Sequence, residues 1–95
     1  MITREGDRLL VSGPLTIATV PALFESGLRH LASEDLVVDM SGVDVVDSAA
    51  VSMLLGWTRA VQRGQRNLRV ASLPADLLSL ANLYGVAELL PQQSA

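Results

Sequence analysis

LVVDMSGVDVVDSAAVSMLL, residues 36 to 55, contains the change of period on which the fold turns. Leu36 to Met40 is a short apolar run rich in β-branched side chains, which suits a buried central strand. Ser41-Gly42 predicts a turn after it. From Asp47-Ser48 onward the apolar residues recur at helical spacing, and the pattern runs to Arg63, with Gly64 placed to end the helix. Asp47 or Ser48 stands where a side-chain oxygen can accept an orphan N–H of the first turn, and an acid there complements the helix dipole.

Along this helix Val51, Leu54, Leu55, Thr58 and Val61 fall on one arc, enough to dock it on a sheet. Ala49, Met53, Trp57 and Ala60 fall on a second arc that reads as nearly opposite, with Ser48, Ser52, Arg59 and Arg63 on the flank between them. A helix with two apolar faces needs two surfaces to bury against. Either the second stripe packs under a neighbouring element, or Met53 and Trp57 form an exposed patch for another protein. The second reading is preferred, because a small domain has little room for a helix covered on both sides, and Trp and Met are over-represented at interfaces.

Working outward, ITREGDRLLVSG predicts two short strands joined at Gly6-Asp7, with Leu9 and Val11 on one face and Gly13-Pro14 ending the second. Val20, Leu23, Phe24, Leu28 and Leu31 then recur at helical spacing, with Thr19 as N-cap and Pro21 inside the first turn. LRVASL (68 to 73) predicts another strand. Pro74 to Tyr84 predicts a third helix with Leu77, Leu80, Ala81 and Tyr84 on one face and Gly85 closing it. VAELLPQQSA predicts a short strand or helical turn and then a frayed tail. The order β-β-α-β-α-β-α implies an α/β fold with an at least partly parallel sheet and helices packed on it.

The 95 residues suffice for one compact domain, residues 1 to 95, with one core. With 49% hydrophobic and 18% charged residues the chain is globular and more apolar than an average small domain, a surplus that suits a partner-binding surface. No apolar run approaches the roughly 20 residues of a membrane-spanning helix, and the N-terminus has no apolar h-region, so a cytoplasmic location is expected. Cysteine is absent, which excludes disulfides, thiolate catalysis and Cys-ligated zinc. All seven cations are arginines, leaving no lysine for a P-loop or Schiff base. A net charge of −3 argues against nucleic acid as partner. Arg59, Arg63, Arg66 and Arg69 read as a solvated helix end, the alternatives being acidic residues of a partner or anionic lipid headgroups.

Ser48 could serve as nucleophile, phosphate acceptor or cap. The single histidine, His30, falls on the polar side of the first helix, so a Ser-His-Asp arrangement has no support and no enzymatic activity is expected. Phosphorylation of Ser48 would meet free N–H groups at a helix N-terminus, but Asp39, Asp44 and Asp47 would oppose it. No cofactor or metal of the chain's own is expected.

The segment quoted at the outset resembles the signature of STAS domains: an apolar strand ending in Asp, then Ser-Gly-Val, then a hydrophobic-Asp-Ser step opening an apolar helix. The resemblance implies a mixed sheet of about four to five strands with helices on one face. Two branches of the family compete. In anti-sigma factor antagonists the step reads Asp-Ser-Ser-Gly and a kinase phosphorylates the second Ser; here that position is Ala49, which has no hydroxyl. In the small STAS subunit of the Mla phospholipid-transport system the step looks like Asp-Thr followed by two small residues, and the Leu80 to Pro91 ending is also similar. That branch implies a subunit that binds the ABC ATPase of an inner-membrane transporter, with its permease, from the cytoplasmic side. It would serve outer-membrane lipid asymmetry in a Gram-negative cell and meet the membrane only through its partners. The contact is then expected at Asp47, Ser48, Ala49, Ser52, Met53 and Trp57. The alternative is a switch that binds a serine kinase or anti-sigma factor. Without a partner, the Met53-Trp57 stripe could pair two copies of the chain.

Overall fold

The computed structural model describes residues 1 to 32 and 34 to 91. The elements follow in the order β1 (Ile2–Glu5), β2 (Arg8–Leu15), α1 (Val20–Leu31), β3 (Val37–Val46), α2 (Ser48–Arg63), β4 (Arg69–Ala71) and α3 (Ala75–Leu83), then a 3-10 turn at Ala87–Leu89. The expected order therefore holds, with a helical turn as the last element. The expected frayed tail beyond Pro91 lies outside the described residues.

The strands form one mixed sheet in the order β1-β2-β3-β4. β1 is antiparallel to β2, paired Ile2 to Val11 and Glu5 to Arg8, and the tight reversal uses Gly6 at φ +60°. β2, β3 and β4 are parallel, with Leu9, Val38 and Val70 in adjacent register. Both parallel connections step the same way across the sheet, so right-handed crossovers carry α1 and α2 to the same face. On that face Leu9, Val11, Val38, Met40 and Val70 are buried. The alternate residues Arg8, Asp39 and Ser41 lie on the other face, where Arg8 pairs with Asp39 at 3.0 Å. The strict in-out alternation is the period of a strand covered on one side. Leu36 to Met40 is thus not buried on both faces.

Two glycines expected to end strands lie inside them instead. β2 continues through Gly13, at φ +82°, to a buried Leu15, and the ladder with β3 shifts register on either side of it. The residue absorbs a bulge. Gly42 pairs with Ser12 within β3, and a methyl group added there would come within 2.8 Å of Ser12 Cβ. It permits a close approach of two strands, one of the established uses of glycine within a sheet. β4 is shorter than expected, three residues.

The largest correction concerns α2. Trp57 is 0% exposed and Met53 1%, so the stripe expected on the surface is core. The two arcs are not opposite: they meet at Ala50, Leu54 and Val61, all buried, in one broad face about 160° wide at 100° per residue. One side of it faces the sheet and the other meets α1. The indole Nε1–H of Trp57 donates to the Phe24 carbonyl at 3.0 Å, and the ring lies against Gly27. Gly56 of α2 in turn receives the Phe24 ring. Paired glycines bring the helices close enough for each aromatic to lie on the other backbone. Thr58, the only buried polar residue of the described chain, donates its hydroxyl to the Leu54 carbonyl at 2.7 Å.

Arg66, expected to be solvated, closes the far end of α1. Its guanidinium donates to the carbonyls of Leu31 and Ala32 at 2.8 and 3.1 Å, to that of Glu34, and to the Asp35 carboxylate. It satisfies carbonyls that a helix C-terminus leaves without partners.

Candidate functional site

With Met53 and Trp57 internal, the exposed residues of α2 are Ser48, Ser52, Arg59, Gln62 and Arg63. Their N-terminal end is held by Asp47, whose two carboxylate oxygens perform different tasks. Oδ1 accepts the Ala49 N–H at 2.8 Å and so caps α2. Oδ2 accepts the Ile17 N–H at 2.9 Å and ties the loop after β2 to the same point. Asp47, half-buried, is therefore the residue that shapes this end, while Ser48 beside it is exposed and free of the capping role. Ala49 is half-buried, and its N–H is occupied by the cap.

Beside this helix end stands an aromatic that sequence periodicity assigns to the core. Tyr84 was expected on the buried face of α3 with Leu77 and Ala81; those two are buried, but Tyr84 is 53% exposed. Tyr84 is the C-cap of α3, its N–H still bonded to the Leu80 carbonyl, and Gly85 at φ +72° turns the chain directly after it, so the ring stands at the end of the helix, past the buried Leu77 and Ala81. Its ring, with Val86, forms one wall of an open groove whose other wall is Ser48, Ser52 and Leu55, with Val51 at the base. The groove continues down α2 past Arg59 and Gln62, opposite Glu88 and Leu89. Leu89 adds exposed apolar surface to the groove, Leu83 is 76% exposed near the end of α3, and Ile17 and Val45 are exposed close to the Asp47 staple. The surplus apolar surface inferred from composition exists, but it comes from α3, the segment after it and the loops, not from Met53 and Trp57.

Ser48 makes no hydrogen bond to a base among the described residues, and His30 lies in the last turn of α1, at the end away from Ser48. Among the described residues no group of three His, Asp or Glu side chains is placed to hold a metal. None of their helices is long and apolar enough to cross a membrane. Of the titratable groups, Asp39 is held below the usual carboxylate value. The main cause is the Ser41 backbone N–H, then the Ser41 side chain; burial opposes them, and Arg8 adds a lesser pull in the same direction as Ser41. It lies on the open sheet face, apart from the groove.

Solved structures share the fold over the whole chain. An anti-sigma-factor antagonist (STAS) domain protein from Planctomyces limnophilus superposes with a TM-score of 0.70 at 19% identity, covering 100% of this chain and 89% of that one. The anti-sigma factor antagonist SpoIIAA in its unphosphorylated form gives 0.65 at 13% identity, covering 100% and 86%. In sequence, an anti-sigma-B factor antagonist of Staphylococcus epidermidis is 26% identical over 82 residues, 84% of this chain and 76% of that protein. Residues 1–91 match the family model described as "Mlab, STAS domain", and the chain belongs to that family of STAS domains.

Proposed function

We propose that the chain is a regulatory binding module that docks a protein partner on the face around the N-terminus of α2, through Ser48, Ser52, Leu55 and Tyr84, with Ile17 and Val45 at the rim. The observation that carries this is the half-exposed Tyr84 ring set across an open groove from two exposed serines, on a helix end pinned by both oxygens of Asp47. A rigid platform with an aromatic anchor and small polar neighbours suits protein recognition, because little ordering entropy remains to be lost on binding. Ala49 contributes as a small residue at the rim, and Met53 and Trp57 support the platform from beneath.

The names of the curated relatives favour a partner of the anti-sigma factor type, and the resemblance to anti-sigma factor antagonists adds a serine kinase. A second reading is favoured by one residue: Ala49 removes the second hydroxyl of the Asp-Ser-Ser step, and the family description points the same way. In that reading the partner is the ABC ATPase of a phospholipid transporter, bound with its permease at the inner membrane, and the module supports assembly of that complex. Co-purification of the full chain from its native cell separates the two. An anti-sigma factor or serine kinase supports the first; an ATPase with its permease, and no phosphate on the intact mass of this chain, supports the second. Undiminished recovery of every partner by both Ser48→Arg and Tyr84→Ala would move the docking face elsewhere.

A further inference from the structure

The α2 wall of the groove has the period of a helix seam. Ser48, Ser52, Leu55, Arg59 and Gln62 line it, spaced four, three, four and three residues apart, with the buried Val51 and Thr58 at the base. A second helix packs into a row so spaced. From Ser48 to Gln62 the row is about 21 Å long at 1.5 Å per residue. Tyr84, Val86, Glu88 and Leu89 form the wall opposite. The apolar contact on offer is that of Leu55, Tyr84, Val86 and Leu89, and the small serines leave room for incoming side chains. None of the described residues lining the groove belongs to a strand, so it lacks the open row of N–H and C=O groups that an extended peptide needs. A helix arrives with those groups already paired.

The groove is also polarised along its length. Among the described residues lining the half beside the start of α2, from Ser48 to Leu55 with Tyr84 and Val86, none is charged. The other half carries Arg59 and Glu88, and the exposed Arg63 stands one turn beyond Arg59. Arg59 and Arg63 are in none of the ion pairs among the described residues. Glu34, Asp35 and Asp39 are engaged by Arg4, Arg66 and Arg8, and none of the three lines the groove. Two arginines against the one acid Glu88 leave this half with an excess of positive charge, on a chain whose net charge is −3.

We infer that the groove receives one amphipathic helix of the partner, about 14 residues long, with apolar side chains at the same four-three spacing over Leu55 and Tyr84 and carboxylates where it meets Arg59 and Arg63. Carboxylates in its first turn also complement its own dipole, so it runs antiparallel to α2 with its N-terminus beside Arg63. Such a helix is the segment of the partner that fills the docking face, and its assignment rests on that face being the one used.

Amide NMR shifts of the isotope-labelled full chain, titrated with two synthetic peptides at about 0.1 M salt, test this. Both peptides are N-acetylated, about 18 residues long, and carry Leu at the four-three positions; one has Glu in its first turn and its twin has Lys there. The wild type is expected to bind the acidic peptide about fivefold more tightly than the twin, although its net charge favours the twin, with shifts at Ser52, Leu55, Arg59 and Tyr84. Arg59→Glu with Arg63→Glu reverses the preference, and Arg59→Gln with Arg63→Gln, which adds no repulsion, abolishes it; far-UV circular dichroism verifies that both variants are folded. Absence of binding up to about 1 mM overturns the inference. So does equal binding of the two peptides, a preference that survives both variants, or shifts confined to the open sheet face. Groove shifts that follow the concentration of the chain alone overturn it in favour of a second copy, and groove shifts given by phosphatidylglycerol vesicles but by neither peptide overturn it in favour of lipid. A native partner lost on Ser48→Arg and Tyr84→Ala but held undiminished by both arginine variants overturns the acidic helix alone and leaves the docking face standing.

Discussion

The Trp57 indole donates to the Phe24 carbonyl at 3.0 Å, which binds α2 to α1 and removes from the surface the residue that sequence alone offers as the best docking anchor. Its ring fills the space over Gly27, where any Cβ would overlap it. Both facts make Trp57 a reporter of the fold.

Gly27→Ala is expected to destabilise the chain. Overpacking costs about 1–3 kcal/mol, offset in part by roughly 1 kcal/mol of helix propensity gained over glycine. The net loss, up to about 2 kcal/mol, appears as a lower urea midpoint followed by Trp57 emission, which also shifts to the red in the native baseline if the ring is displaced. An unchanged midpoint and spectrum would mean that the helices can part at no cost.

Trp57→Ala removes a fully buried ring and costs about 3–5 kcal/mol, a large share of the stability of so small a domain. Trp57→Glu costs more and unfolds it, losing the far-UV helical signal together with any binding. Ser48→Arg and Tyr84→Ala change only exposed surface and stay within about 0.5 kcal/mol of the wild type while losing the partner. This contrast separates support of the platform from contact with the partner.

Asp47→Ala removes two acceptors at once and is expected to cost about 1–2 kcal/mol. The Ile17 loop loosens with it, so amide exchange of Ile17 and Ala49 should rise together. Asp47→Asn keeps one acceptor oxygen and should protect only one of the two amides. Independent behaviour of the two amides in the alanine variant would contradict the shared staple.

Asp39 is depressed below its ordinary value of 3.8, chiefly by the Ser41 N–H, then by the Ser41 side chain and Arg8. A carboxylate with a lowered folded pKa contributes stability that is complete above its unfolded value and is lost as pH falls through the folded one. Urea midpoints of the wild type should therefore fall on acidification below about pH 4, and Asp39→Asn should lower the midpoint above about pH 5 and flatten part of the fall below it. A variant with an unaltered acid limb would assign the fall to other carboxylates.

Much of the fold is legible in the order of residues because periodicity is local. Ser48 to Arg63 is read as a helix and is one; Leu9 and Val11 share a buried face; Gly85 closes α3 with positive φ. Glycines were less legible. Gly13 and Gly42 carry the composition of turns, yet one sits where the ladder shifts register and the other admits Ser12 of the neighbouring strand, differences set by pairing between strands distant in sequence. At the candidate site Asp47 is legible as a cap from its place before the helix, whereas Ser48, Ala49 and Ser52 enter as contact residues through the family resemblance. Tyr84 was missed because a helical wheel gives the direction of a side chain and not how far the covering layer extends: Tyr84 is the C-cap of α3, still bonded to Leu80, and its ring is half-exposed.

The class of the fold, the order of its elements and the family were legible from the chain alone, since each depends on residues near one another in sequence. Only the tertiary structure decided which side of α2 faces outward. Burial is a property of what packs against a residue, and Trp57 and Met53 became core because Gly27 and Gly56 let α1 come close, at a separation of some thirty residues that no local pattern records.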